Sequence, residues 1–284
     1  MTVREALDAA ACRAREAASD ATAWDARVLL AHTLGHGGPL SLDLRQELTP
    51  DAASRFEALW SRRVLGAPVQ HLIGEWDFCG RRFLVDARAL IPRPETEGVI
   101  AAALREAPRA PAVLDGGTGS GILGITWLLE RPESRVIALD VSLDALALAR
   151  ANARRYSVSD RLRLLACDWL SPLAGVRFDL AIANPPYLSA AEEPVLAPTV
   201  RDHEPRRALY AGTDGLEAIR HLLDTLPGFL VPAGLFVFEL GFGQADAVAR
   251  EIRARVAWEF VRIEEDLASI PRVAIARARS RPSP

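Results

Sequence analysis

The 284-residue sequence predicts an α/β protein, a doubly wound and mostly parallel seven-stranded sheet preceded by a small helical domain. Three observations carry this. From Pro111 onward, short apolar runs at 112–114, 135–139, 162–166, 180–183 and 235–240 alternate with mostly helical patterns, as parallel strands with crossover helices do. The last two runs, 260–263 and 272–276, have no helical pattern between them, so one of the pair is expected to run antiparallel. Before residue 67 the apolar spacing is helical.

The N-terminal helices follow from periodicity and stop signals. Val3, Ala6, Leu7, Ala10 and Ala14 share one helical face. Residues 25–35 form a second helix with Gly35 as its stop. Thr49, Pro50 and Asp51 supply an N-cap, a first-turn proline and an acid at the positive end of a third helix, which carries Phe56, Leu59 and Trp60. Arginines and acids nearly balance through Arg63, so this domain suits partner recognition better than a nucleic-acid clamp. Residues 69–73 and 76–85 read as short strands around Gly74, a hairpin linker in which His71 is structural. Glu95 or Thr96 then opens a helix through Leu104, and Glu95 and Glu97, two residues apart, face different sides and serve capping or solvation. The expected domains are 1–67 (helical, substrate recognition), 68–90 (hairpin linker) and 91–284 (α/β).

Composition removes several function classes. Half of the residues are apolar, a quarter are charged and the net charge is −3, which gives no overall pull toward nucleic acid or an anionic membrane. All 34 basic residues are arginine, so a Schiff-base lysine and a P-loop lysine are excluded. Cys12, Cys79 and Cys167 lie far apart, with neither disulfide nor metal-ligand spacing, and no metal is expected. The N-terminus lacks an apolar signal core, and the longest apolar run, 228–238, is broken by Pro232 and too short to span a bilayer. A cytoplasmic monomer without direct nucleic-acid or membrane contact is the expectation.

The 180–183 run stops abruptly at Asn184-Pro185-Pro186-Tyr187. Two prolines cannot continue a ladder, and Asn184 is held extended by the proline after it. A stiff corner results at the carboxyl end of a strand, where open α/β sheets bind ligands. The Asn184 side-chain oxygen and the Pro185 carbonyl can each accept an N–H from a planar NH2-bearing substrate, with Tyr187 packed on its face. The residues alone also permit a plain strand followed by a proline turn.

A glycine-rich stretch, Asp115-Gly116-Gly117-Thr118-Gly119-Ser120-Gly121, follows the first parallel strand. Gly119, Gly121 and Gly124, with Asp140 further on, formally satisfy the dinucleotide fingerprint, so a nicotinamide-dependent dehydrogenase stays in the comparison. Asp115 weighs against it, because a carboxylate before the glycines repels a pyrophosphate and tolerates a cationic sulfonium or ammonium ligand. Asp140 is placed for both ribose hydroxyls, and Asp168-Trp169 for an adenine amino group and ring. For each aspartate singly, a helix cap is the competing reading.

Together, Asp115 through Gly121, Asp140, Asp168-Trp169 and Asn184-Pro-Pro-Tyr187 resemble the class I (Rossmann-like) S-adenosyl-L-methionine-dependent methyltransferases that act on nitrogen. Pro68-Val-Gln-His-Leu-Ile-Gly74, Phe78, Ile91-Pro-Arg-Pro-Glu-Thr-Glu97, Glu204-Pro205, Ala208-Leu209, Asp214-Gly215-Leu216, Glu239-Leu-Gly241 with Gln244, and Ile270-Pro-Arg272 narrow the resemblance to the release factor glutamine methyltransferase family (HemK/PrmC type) over nearly the whole chain. The resemblance implies methylation of the glutamine side-chain nitrogen in the Gly-Gly-Gln loop of class 1 peptide chain release factors. It implies that Gly117, Thr118, Gly119, Ser120, Gly121, Asp140 and Trp169 line the cofactor site, joined by Asp168 and Asn184. It places the glutamine amide against Asn184, Pro185, Pro186 and Tyr187. Apart from the resemblance, residues 188–210 read as a substrate loop, ordered or mobile. Two positions depart from the family pattern. Gly116 replaces a large apolar residue, which is expected to loosen that strand end, and His71 stands where tyrosine is common. A ribosomal-protein glutamine methyltransferase, an adenine-N6 nucleic-acid methyltransferase and a silent nucleoside-binding module remain the alternatives.

Overall fold

Apolar residues in the strands after Pro111 alternate between two faces, and each face has its own helices. The computed structural model describes residues 1–170 and 175–279. These fall into two compact units, residues 1–75 with 196–203, and the remaining described residues.

In the first unit, α1 (Val3–Glu16), α2 (Ala23–Leu34), α3 (Pro50–Val64) and the short α4 (Val69–Ile73) surround Val3, Ala10, Leu29, Leu30, Phe56 and Trp60. Helix starts are strongly specified. Thr2 with Glu5 and Thr22 with Asp25 form reciprocal capping boxes, and Thr49 accepts the Ala52 N–H at 3.2 Å. Gly35 closes α2 in the left-handed conformation. Arg63 is buried and bonds Asp20 at 2.8 Å and Asp25 at 3.0 Å, so the cation enters the interior with its partners. Residues 69–73 correct the sequence expectation, being helix and not strand. Val69 and Leu72, three apart, turn to the same buried side, and Gly74 ends the turn at φ +80°.

The hairpin is formed by β1 (Glu75–Phe78) and β2 (Arg81–Leu84). Helix α5 (Glu97–Glu106) follows a 3₁₀ turn at Pro94–Thr96. The sheet then builds from β3 (Ala112–Gly116), β4 (Arg135–Asp140), β5 (Leu162–Ala166) and β6 (Phe178–Ala183), with α6 (Ile122–Glu130) and α7 (Leu143–Arg155) as the first crossovers. Short helices α8 (Pro198–Arg201) and α9 (Arg206–Leu209) precede α10 (Glu217–Thr225), β7 (Leu230–Glu239), α11 (Ala245–Arg253), β8 (Trp258–Glu265) and β9 (Pro271–Ala278). The strand order is β5-β4-β3-β6-β7-β9-β8, and β9 is the antiparallel member, set between β7 and β8.

Val113, Val136, Leu180, Ile182 and Val237 point to one face with Val99 and Ile100 of α5 and Ile125 and Leu128 of α6. Leu114, Leu139, Ala181, Phe236 and Phe238 point to the other with Ile219 and Leu222 of α10 and Val248 and Ile252 of α11. This two-sided burial explains why the strands lack a polar face. The chain reverses its direction of travel across the sheet between β3 and β6, so the crevice for a ligand lies at the carboxyl ends of those strands. No helix among the described residues is long and apolar enough to cross a membrane.

Candidate active site

At that reversal lies a cavity of about 750 Å³, within the usual range for small-molecule sites. Gly117, Thr118, Gly119, Ser120, Asp140, Asp168, Trp169, Asn184 and Pro186 line it, so most residues singled out from the sequence converge there. Gly121, Pro185 and Tyr187 are not among its lining.

The glycine rim is organised by two carboxylates. Asp115 is fully buried at the end of β3, and its Oδ2 accepts from Thr118 Oγ1 at 2.5 Å and from the Gly124 N–H at 3.0 Å. That pins the loop to the start of α6. Its Oδ1 is buried with no hydrogen-bond partner among the described residues. Burial pushes the Asp115 carboxyl up to about 6, against the downward pull of its Thr118 and Gly124 hydrogen bonds. Asp140 ends β4 and accepts from the Gly119 N–H at 2.9 Å and the Ser142 N–H at 2.8 Å, one on each oxygen. Each oxygen keeps lone-pair capacity for a further donor. Gly121 belongs to the packing beneath. Its φ is +85°, and a Cβ there would sit 2.9 Å from Ile125 Cδ1 and 3.1 Å from Ala149 Cβ, where α6 and α7 meet. Buried Asn152 of α7 joins the loop to the hairpin, bonding the Ser120 carbonyl at 2.9 Å and both backbone groups of Leu84.

Gly116 does not loosen its strand. It pairs with Leu139 on one side and Ala183 on the other. The Trp169 ring covers it, with Cζ3 at 3.8 Å from where a Cβ would stand. Trp169 holds a left-handed backbone at φ +56° and lies 6.0 Å from the His221 ring, which also borders the cavity.

The second rim is the proline corner. Asn184 Nδ2 donates to Thr96 Oγ1 at 3.1 Å, and Thr96 Oγ1 donates to Glu239 Oε2 at 2.5 Å. Tyr187 donates its hydroxyl to Glu239 Oε1 at 3.1 Å. Thr96 therefore does not cap α5 with its side chain. Asn184 Oδ1 is left buried without a partner among the described residues. Burial raises the Glu239 carboxyl above the usual range, opposed by its bonds from Thr96 and Tyr187 and by Arg272, while Glu95 raises it further. Burial, reinforced by the Glu239 charge, also raises the Tyr187 phenol.

The corner's backbone is clamped separately. Gln244 donates Nε2 to the Tyr187 carbonyl at 2.9 Å and accepts the Gly241 N–H at 2.9 Å. Gly215, at φ +74°, passes so close that a Cβ would lie 2.2 Å from the Tyr187 carbonyl oxygen. Glu204 ties the wall across the cavity, accepting the Ile91 N–H at 3.0 Å and pairing with Arg93. The roles of Thr96, Glu239, Gln244 and Glu204 were not assigned from the sequence. All four fall in the stretches that carry the family resemblance, and Glu239 after Val237-Phe238 is also a lone acid at the carboxyl end of a buried strand.

Comparison with known proteins agrees with this architecture. Residues 97–200 match the methyltransferase small domain and residues 5–74 the PrmC N-terminal domain. A methyltransferase structure from Pyrococcus furiosus, 16% identical, covers 72% of this chain and 91% of that one at a TM-score of 0.53. The hMettl16 catalytic domain, 15% identical, covers 78% and 82% at 0.57. Both share the fold. The release factor glutamine methyltransferase of Cereibacter sphaeroides is 46% identical over 89% of this chain and 91% of its own length. Those of Moorella thermoacetica and Deinococcus radiodurans are 38% and 39% identical over 98% of this chain and 99% of theirs. The chain belongs to the release factor glutamine methyltransferase family.

Proposed function

We propose that this chain transfers a methyl group from S-adenosyl-L-methionine to the side-chain amide nitrogen of the glutamine in the Gly-Gly-Gln motif of class 1 peptide chain release factors, its protein partners. The observation that carries the reading is Asn184 Oδ1, an acceptor with no partner among the described residues, on a residue that lines the cavity together with the glycine rim. Leaving a buried carbonyl unpaired costs about 1–3 kcal/mol, a cost that an N–H from a bound amide removes.

The residues present fit an adenosyl cofactor. Asp140 has acceptor capacity for a ribose diol, Asp168 and Trp169 border the same wall, and the Gly117–Ser120 backbone lets a ligand approach closely. When bound, the cofactor supplies a methyl group already activated by a positive sulfur. The protein's task is orientation, because an amide nitrogen is a weak nucleophile whose lone pair is delocalised. Asn184 Oδ1 and the Pro185 carbonyl would accept the two amide N–H groups and turn the nitrogen toward the glycine rim, where the bound cofactor would supply its methyl group. The nitrogen, once methylated, would give one proton to water.

Labelled S-adenosyl-L-methionine, offered with release factor, ribosomal proteins or adenine-containing DNA, tests this, with the modified residue located by mass spectrometry. Methyl on the Gly-Gly-Gln glutamine is the expected result. Label only on a ribosomal protein or on DNA overturns the substrate assignment.

A further inference from the structure

We infer that Glu239 and Thr96 are positioning residues that decide which end of the Asn184 amide faces the substrate. The inference rests on the glutamine-amide reading and adds to it the device that makes Asn184 an acceptor. A carboxamide turned over by 180° has nearly the same shape but exchanges its C=O for NH2. In the flipped state Asn184 presents a donor to the donor of an incoming amide, and the substrate cannot be held. Something in the fold must fix the sense.

The hydrogen-bond chain fixes it by proton counting. The counting applies to Glu239 as a carboxylate, the form that its bonds from Thr96 and Tyr187 and the Arg272 charge favour against the upward push of burial; a carboxylate accepts and never donates. Glu239 takes the hydroxyl protons of Thr96 at 2.5 Å and of Tyr187 at 3.1 Å, one on each oxygen. Thr96 has a single hydroxyl proton, so its oxygen is left only to accept. The group it meets 3.1 Å away must then be Asn184 Nδ2, which turns Oδ1 to the opposite side. Thr96 and Glu239 are both almost wholly buried, so water does not readily substitute for either link. The charges around Glu239 are Arg272 and Glu95, and Arg93 bears on its partner Tyr187. The Asn184 polarity is thus inherited from a negative charge two hydrogen bonds away, and Thr96 transmits it.

A packing role for Thr96 makes the opposite forecast. Valine keeps the shape of threonine and loses the hydroxyl, whereas serine keeps the hydroxyl and loses the methyl. Packing favours valine, and the relay favours serine. The full-length protein is assayed with labelled S-adenosyl-L-methionine and release factor, alongside thermal midpoint and S-adenosylhomocysteine affinity. Thr96→Val is expected to lose about 10- to 100-fold in kcat with cofactor affinity held and its folding midpoint lowered by the buried Asn184 and Glu239 groups it leaves unpaired, and Thr96→Ser to retain most of the turnover and the midpoint. If Thr96→Val does not fold, Thr96→Ala against Thr96→Ser isolates the hydroxyl alone. Turnover by the valine or alanine variant equal to the serine variant's overturns the relay and leaves the substrate reading standing. Failure of the wild-type protein to methylate the glutamine removes that reading and this inference with it.

Discussion

The two rims of the cavity are built by different means. At the ends of β3 and β4, carboxylates hold mainly backbone N–H groups, with the Thr118 hydroxyl as a side-chain partner of Asp115. Asp115 and Asp140 fix the Thr118, Gly119, Gly124 and Ser142 region within one strand–helix–strand repeat. At the end of β6, side chains hold a side chain. Thr96 lies 88 residues before Asn184, and Glu239 lies 143 residues beyond Thr96. The first rim presents backbone, whose donors and acceptors cannot exchange places. The second presents an amide that can be turned over and therefore needs a polarity imposed from outside. Damage to the first rim should appear in ligand affinity or folding, and damage to the second in turnover.

The largest expected effect breaks the second rim at its tip. Asn184→Ala should lower kcat by about 10²–10³-fold while S-adenosylhomocysteine binding, measured by calorimetry, is largely kept. Equal losses in both would mean that the rims are not separable.

Next is the acid under the first rim. The Asp115 carboxyl rises from 3.8 free to about 6 folded, so the folded state holds its proton more tightly than the unfolded state. The associated stability is present below the free value and is lost as pH rises through about 6, amounting to about 3 kcal/mol. Denaturant midpoints should therefore move in favour of Asp115→Asn over wild type between about pH 4 and pH 7. A constant gap across that window would place the proton elsewhere.

Asp140→Ala removes the acceptor for Gly119 and Ser142 and for a ribose. Cofactor affinity should fall by about 10- to 100-fold, and turnover at saturating cofactor by much less. An effect on kcat alone would reverse the contrast between the rims.

The smallest effect is at Gly116. A Cβ there meets only ordinary contacts, 3.8 Å from Trp169 and 3.9 Å from Ala183. Gly116→Ala should be neutral or gain up to about 1 kcal/mol in denaturant stability. A loss would mean that the Trp169 ring cannot yield.

The same contrast explains what was legible beforehand. The strands were visible because both faces of the sheet are covered, so Val113 with Leu114 and Leu180 with Ala181 read as unbroken apolar runs. The glycine rim was visible because its constraints sit beside one another in the chain. Helix starts at Thr49 and the stop at Gly35 follow from local hydrogen bonding and backbone conformation. Val69–Ile73 misled because five residues hold too little periodicity to separate strand from helix, and the i, i+3 pair Val69 and Leu72 was the available clue. Thr96 read as a helix start because its neighbours allow that. Its actual partners, Asn184 and Glu239, are distant in sequence, and no local pattern encodes a contact of that separation. Gln244 and Gly215 escaped assignment for the same reason, since both act on the backbone of Tyr187.

The long reach of the Tyr187–Glu239 bond also sets a clock on synthesis. Tyr187 is polymerised 52 residues ahead of its partner, an interval of roughly 3 to 10 seconds at ordinary elongation speeds. Through that interval the glycine rim is already encoded in the nascent chain, whereas Asn184 still has no fixed sense. Competence for transfer is therefore acquired late, with β7, and a chain truncated before residue 239 would carry the first rim without a working second.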